Sequence, residues 1–136
     1  MNILVIDGQG GRLGCQMVRS IAEKYPGARL MAVGTNSAAA AAMAKAGAHQ
    51  AAAGENPLIV ACRKADIIIG PIGIVIADSL FGEITPAMAV AVAQSDAVRI
   101  LLPVNRCGNI VAGVQELSLT ALISDAMAQR EGVMQE

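Results

Sequence analysis

The chain has 136 residues, of which 54% are apolar and only 15% charged, with a formal net charge of −1. It is long enough to bury a core as one domain, and too apolar for disorder. With no basic cluster, one Tyr, one Phe and no Trp, it excludes a nucleic-acid surface, and no apolar run reaches the roughly 18 residues of a membrane span.

Ile3, Leu4, Val5 and Ile6, broken by Asp7 and glycines, predict a buried parallel strand. The stripe Leu13, Met17 and Ile21, with Val18 and Ala22 beside it, predicts a helix ended by Pro26-Gly27. Residues 28–33 form a second strand stopped by Gly34. Ser37 caps a following helix of alanines, which Gly47 ends. A weak third strand covers 49–53, and Asn56 caps a short helix with Pro57 at its first position. Residues 66–69 make a fourth strand closed by Gly70-Pro71. The stretch 72–84 is too long and apolar for a simple loop, and reads as an irregular or partly helical insert carrying Asp78, Ser79 and Glu83. Thr85-Pro86 repeats the cap-then-proline pattern and opens a helix through Gln94. Residues 98–102 are a fifth strand stopped by Pro103. A last helix over 116–130 buries Leu119, Leu122, Ile123, Ala126 and Met127.

Strand and helix alternate throughout, which implies parallel strands joined by right-handed crossovers. The expected architecture is α/β: a three-layer Rossmann-like sandwich whose sheet has about five strands in an order near 3-2-1-4-5. Residues 1–136 form a single domain of nucleotide-binding type. Three cysteines without framework spacing point to reduced thiols in a cytoplasmic protein. The N-terminus carries no basic stretch before its apolar run, so no secretory signal is expected. So few charges imply apolar surface covered by another subunit, hence a homo-oligomer.

In an open parallel sheet, ligands sit beyond the carboxyl ends of the strands. Five loops meet there: 7–11, 34–37, 54–56, 70–73, and the stretch after the fifth strand with Asn105 and Arg106. The first is the sharpest signal. Gly8, Gln9, Gly10, Gly11, Arg12, Leu13 and Gly14 run from a strand into a helix. Gly-x-Gly-x-x-Gly fails at Leu13, whereas Gly-x-x-Gly-x-x-Gly fits through Gly8, Gly11 and Gly14. A helix start with small residues offers free amides and the positive end of a dipole to phosphate.

Gly11-Arg12-Leu13-Gly14, preceded by Gly8, is similar to the Gly-x-x-Gly-Arg-Met-Gly loop of dihydrodipicolinate reductases. Those enzymes bind NADPH or NADH there. The likeness is local, and the substrate domain of such an enzyme has no room here. Over its whole length the chain resembles a family of short bacterial Rossmann-like proteins known only as a domain of unknown function. The matching stretches are VIDGQGGRLG, AVGTNSAAAAAMAKAGA, ADIIIGPIGIVIADSLFGEITPAMA and LLPVNRC. That resemblance implies a nucleotide-type fold and no particular reaction.

Two residues qualify a dinucleotide reading. Asp7 would repel a pyrophosphate by about 1 kcal/mol or more. The ribose-binding acid expected after the second strand is missing, and Thr35, Asn36 and Ser37 stand there instead. Neutral donors tilt the ligand toward NADP over NAD, or toward a phosphorylated mononucleotide. In the first reading, 8–14 cradle phosphate, 35–37 hold the far ribose or its phosphate, and Gly70, Pro71 and Ile72 floor the pocket with Asn105 beside them. A second reading is a small enzyme on a phosphorylated or carboxylated metabolite. Asp7 and Asp78 would then do acid–base work or hold Mg²⁺, and Arg106 would pair the anion. A third is a non-catalytic ligand sensor or assembly subunit. His49, the sole histidine, lies away from this rim, and Cys15 and Cys107 are either packed thiols or nucleophiles.

Overall fold

The computed structural model describes residues 1–104, 107–115 and 117–135. The elements in chain order are β1 Asn2–Asp7, α1 Arg12–Lys24, β2 Arg29–Gly34, α2 Ser37–Ala46, β3 Gln50–Ala53 and α3 Glu55–Lys64. They continue with β4 Ile67–Pro71, α4 Pro86–Ala93, β5 Val98–Leu102 and α5 Leu119–Gln135, and a short 3-10 turn at Ile72–Val75 follows β4. All pairings are parallel, and the sheet order is β3-β2-β1-β4-β5. The expected α/β sandwich is therefore the fold observed.

Strand alternation divides the core. Ile3, Val5, Ile67, Ile69, Ile100 and Leu102 face α1, α2 and α5, while Leu4, Ile6, Ile68, Met31 and Val33 face α3, α4 and the insert after β4. β1 is fully covered on both faces, which is why its apolar residues run without a break. The alanines of α2 let that helix lie close to α1, with Ala39, Ala40 and Met43 buried. Among the described residues no helix is long and apolar enough to cross a membrane.

Three helix starts differ from the sequence expectation. The cap of α2 is Asn36, whose side chain accepts from the Ala39 amide at 2.8 Å, and not Ser37. α3 begins at Glu55 after Gly54, which holds φ 106, so Asn56 is already helical. Pro57 still falls in the first turn, where no amide is needed. α5 begins at Leu119, with the Ser118 hydroxyl accepting from the Ala121 amide at 3.2 Å, rather than at 116. Thr85 does cap α4, accepting from the Met88 amide at 3.2 Å.

Where α1 ends, Arg130 of α5 is only 1% exposed, and its guanidinium carbon lies 3.3 Å from the centre of the Tyr25 ring. Nε and Nη1 of Arg130 have no hydrogen-bond partner among the described residues. The Tyr25 hydroxyl donates to Glu131 at 3.0 Å, and Lys24 pairs with Glu131 at 2.7 Å. Burying a cation with unmet donors is costly, and ring contact offsets only part of it. Arg130→Met, of similar reach, is expected to raise stability by about 1 kcal/mol. Thermal unfolding should show this as a midpoint higher by about 3 °C.

Candidate functional site

The carboxyl ends of β1, β2 and β4 meet where the connections diverge, and the glycine loop stands there. Each loop residue has a defined use. Asp7 is 4% exposed, and its Oδ1 accepts from the Gly8 amide at 2.8 Å while Oδ2 accepts from the Gly14 amide at 2.6 Å. The side chain thus ties the end of β1 to the first turn of α1. Burial pushes the Asp7 carboxyl above its ordinary value, the Gly14 and Gly8 amides oppose that, and the nearby Glu83 charge adds to it. The Gly11 amide donates to the Gly8 carbonyl at 2.9 Å. The Gln9 amide donates to Glu83 Oε1 at 2.8 Å. Among the described residues, the amides of Gly10, Arg12 and Leu13 donate to nothing.

The glycines are not interchangeable. A β-carbon on Gly11, which holds φ +74, would lie 2.9 Å from Ala39 Cα, and one on Gly14 would lie 2.6 Å from Met43 Sδ. Gly11 serves the approach of α2 to α1, and Gly14, whose β-carbon would also lie 2.7 Å from Asp7 Cβ, serves the seating of α1 on β1 as well. A β-carbon on Gly8 would meet Thr35 Oγ1 at 2.6 Å, Glu83 Oε1 at 2.8 Å and Leu80 Cδ1 at 2.8 Å. A β-carbon on Gly10 would meet nothing within 4 Å. Gln9, Gly10 and Arg12 are exposed.

The feature that sequence reasoning underrated is Glu83. The segment 76–84 after the 3-10 turn crosses over the glycine loop as a strap. It closes on itself: the Asp78 amide donates to the Ile84 carbonyl at 2.7 Å, the Gly82 amide to the Asp78 carbonyl at 3.1 Å, and the Ser79 hydroxyl to the Gly73 carbonyl. Leu80 and Ile84 anchor it in the core at 2% and 0% exposure. Asp78, Leu80 and Phe81 take positive φ of 65, 54 and 57°, a geometry that costs each about 1 kcal/mol. Glu83 is carried across to the end of β2. Its Oε1 accepts from Gln9 N at 2.8 Å, Thr35 Oγ1 at 2.5 Å and Asn36 Nδ2 at 3.1 Å. Burial works against the Glu83 charge, but the Gln9 amide, the Thr35 hydroxyl and the Asn36 amide together hold its carboxyl below the ordinary value.

The other sequence candidates divide as follows. Thr35 and Asn36 join the loop through Glu83, and Asn36 Nδ2 also donates to the Gln9 carbonyl at 2.9 Å. Ser37 opens α2 as its first residue. Gly70 and Pro71 lie inside β4 rather than after it, and Ile72 starts the 3-10 turn. Asp78 is exposed on the strap. Asn105 and Arg106 lie outside the described residues. His49 Nδ1 accepts from the Leu30 amide at 3.0 Å near the start of β2, away from the site. A cavity of about 380 Å³ at the opposite rim, between α3 and α4, is lined by Cys62, Gln94 and Ser95. Burial pushes the Cys62 thiol up to about 11, so it holds little thiolate at neutral pH. Among the described residues no group of three His, Cys, Asp or Glu side chains gathers to hold a metal ion.

The family model described as a domain of unknown function, DUF3842, matches residues 2–135. The chain belongs to the DUF3842 family. No curated protein matches it. This DUF3842 chain carries a five-stranded parallel sheet in the order β3-β2-β1-β4-β5.

Proposed function

We propose that this DUF3842 protein binds a nucleotide through its phosphate at the loop 8–14. The ligand class is a mononucleotide, a dinucleotide such as NAD or NADP, or a phosphorylated metabolite. One observation carries the reading: the amides of Gly10, Arg12 and Leu13 are unpaired at the start of α1, while those of Gly8, Gln9, Gly11 and Gly14 are occupied. Unpaired amides at the positive end of a 13-residue helix suit an anion, and the exposed Arg12 adds a full charge. Asp7 opposes this less than the sequence suggests, because both its oxygens are spent on holding the loop. The same engagement disfavours Asp7 as a catalytic base, and Glu83 beside it is held by three donors on Oε1. Binding is therefore the activity that the geometry supports.

The test is calorimetric titration of NAD⁺, NADP⁺, ADP and inorganic pyrophosphate into the full chain, with Gly10→Ala and Arg12→Glu as variants. Neither variant should disturb folding, since a β-carbon at Gly10 meets nothing and Arg12 is exposed. A glutamate at the helix start even favours the dipole. Both variants are expected to lose affinity at least tenfold. In thermal unfolding, ligand at a hundred times its Kd should stabilise the wild type by about 2.7 kcal/mol. Wild-type affinity in both variants, or no binding of any of these anions, would overturn the proposal.

A further inference from the structure

Glu83 has no role in a bare phosphate loop, yet it is built in with care. Its donors come from two places: Gln9 from the loop after β1, and Thr35 and Asn36 from the loop after β2. The carboxylate therefore bridges the glycine loop and the end of β2. In open α/β sheets that bind dinucleotides, this is where an acid takes the adenosine ribose hydroxyls. The sequence lacks that acid after β2, and the strap delivers one in space from the far side of β1.

We propose that Glu83 is the acceptor for a ribose cis-diol, so that the ligand carries free 2′- and 3′-hydroxyls and is NAD-like or a plain 5′-nucleotide rather than NADP-like. The assignment rests on the phosphate reading of the loop. All three donors converge on Oε1, and Oε2 accepts from nothing among the described residues. That oxygen keeps its lone pairs for two adjacent hydroxyl donors. Glu83 cannot swing freely, because Leu80 and Ile84 on either side of it are buried. A 2′-phosphate would bring a second anion against it. Among the described residues no Lys or Arg is ion-paired with Glu83 to relieve the repulsion, the ion pair present being Lys24 with Glu131. The neutral Thr35 and Asn36, which in sequence favour a phosphate, are instead the residues that position the carboxylate.

The experiment titrates NAD⁺, NADP⁺, ADP and inorganic pyrophosphate into the full chain and into Glu83→Gln. The glutamine keeps the shape and one acceptor oxygen for Gln9, Thr35 and Asn36, but replaces the free oxygen by a donor group. The wild type is expected to bind NAD⁺ at least tenfold more tightly than NADP⁺. Glu83→Gln is expected to abolish that preference while pyrophosphate binds at least as tightly as to the wild type. If pyrophosphate binds but NADP⁺ binds the wild type as tightly as NAD⁺, the diol assignment falls and the loop reading stands. If the preference exists and survives in Glu83→Gln, the assignment to Glu83 falls. If pyrophosphate, both dinucleotides and ADP all fail to bind, both readings fall. The wild-type comparison decides the ligand class even where the variant folds poorly.

Discussion

Replacing Gly34 by alanine is expected to cost about 3 kcal/mol of folding stability. For a domain of this size the thermal midpoint falls by roughly 10 °C. A β-carbon at Gly34 would lie 2.5 Å from the Ala40 amide nitrogen and 2.7 Å from the Asn36 carbonyl oxygen. Both are backbone atoms, one in the first turn of α2 and one in its cap residue, so no side-chain rotation relieves the clash. The Gly34 carbonyl also accepts from the Gly54 amide at 2.9 Å, and Gly34 sits in register with Asp7. Any shift therefore reaches β1 and β3 together. Gly27→Ala is the control: its β-carbon meets nothing within 4 Å, and its stability should stay within about 1 kcal/mol of the wild type. Equal midpoints for the two variants would refute the packing argument.

Asp7→Ala is expected to cost about 3 kcal/mol, because it orphans two buried amides at once. The lost partners are Gly8 N at 2.8 Å and Gly14 N at 2.6 Å. Asp7→Asn should lose about half as much, since it keeps one acceptor and turns a donor toward the other amide. The pH dependence is separate and has a definite sign. Burial raises the folded Asp7 carboxyl above its ordinary 3.8, so between that pH and its folded value the native state holds more protons than the unfolded chain. Stability from this group therefore falls as pH rises through that window and is level above it. Glu83 has the opposite sign: its folded value lies below 4.5, so its contribution is present above that pH and is lost on acidification. Urea unfolding of the wild type and Asp7→Asn across pH 3 to 7 would expose the difference. If the two curves stay parallel over the whole range, Asp7 does not titrate as argued.

Much of the fold was legible because apolar runs ended in glycine. Ile3 to Ile6 and Ile67 to Ile69 could be nothing but buried strands, and even the alanine-rich β3 fell within a residue of its expected place. Caps were harder where two good candidates stood side by side. Asn36 and Ser37 are both strong caps, and only the geometry of the preceding turn chooses between them. Of the site, the loop itself was visible, since its position between strand and helix follows from the chain. The partner of that loop was not. Glu83 is 74 residues from Gln9 and 48 from Thr35, and nothing local in 72–84 announces a strap that crosses β1. The roles of the glycines were also hidden: Gly11 is small for the sake of α2, and Gly14 for both α2 and the end of β1, tertiary demands that a phosphate motif imitates in sequence.

The cluster of Tyr25, Arg130 and Glu131 has an optical consequence. With a single tyrosine and no tryptophan in the chain, almost all of the near-ultraviolet dichroism and intrinsic emission arises from one phenol beneath a guanidinium. That chromophore sits where α1 ends, at the opposite rim from the glycine loop. Its signal reports whether α5 is seated on α1, and a ligand at the loop leaves it unchanged unless the whole length of α1 is displaced.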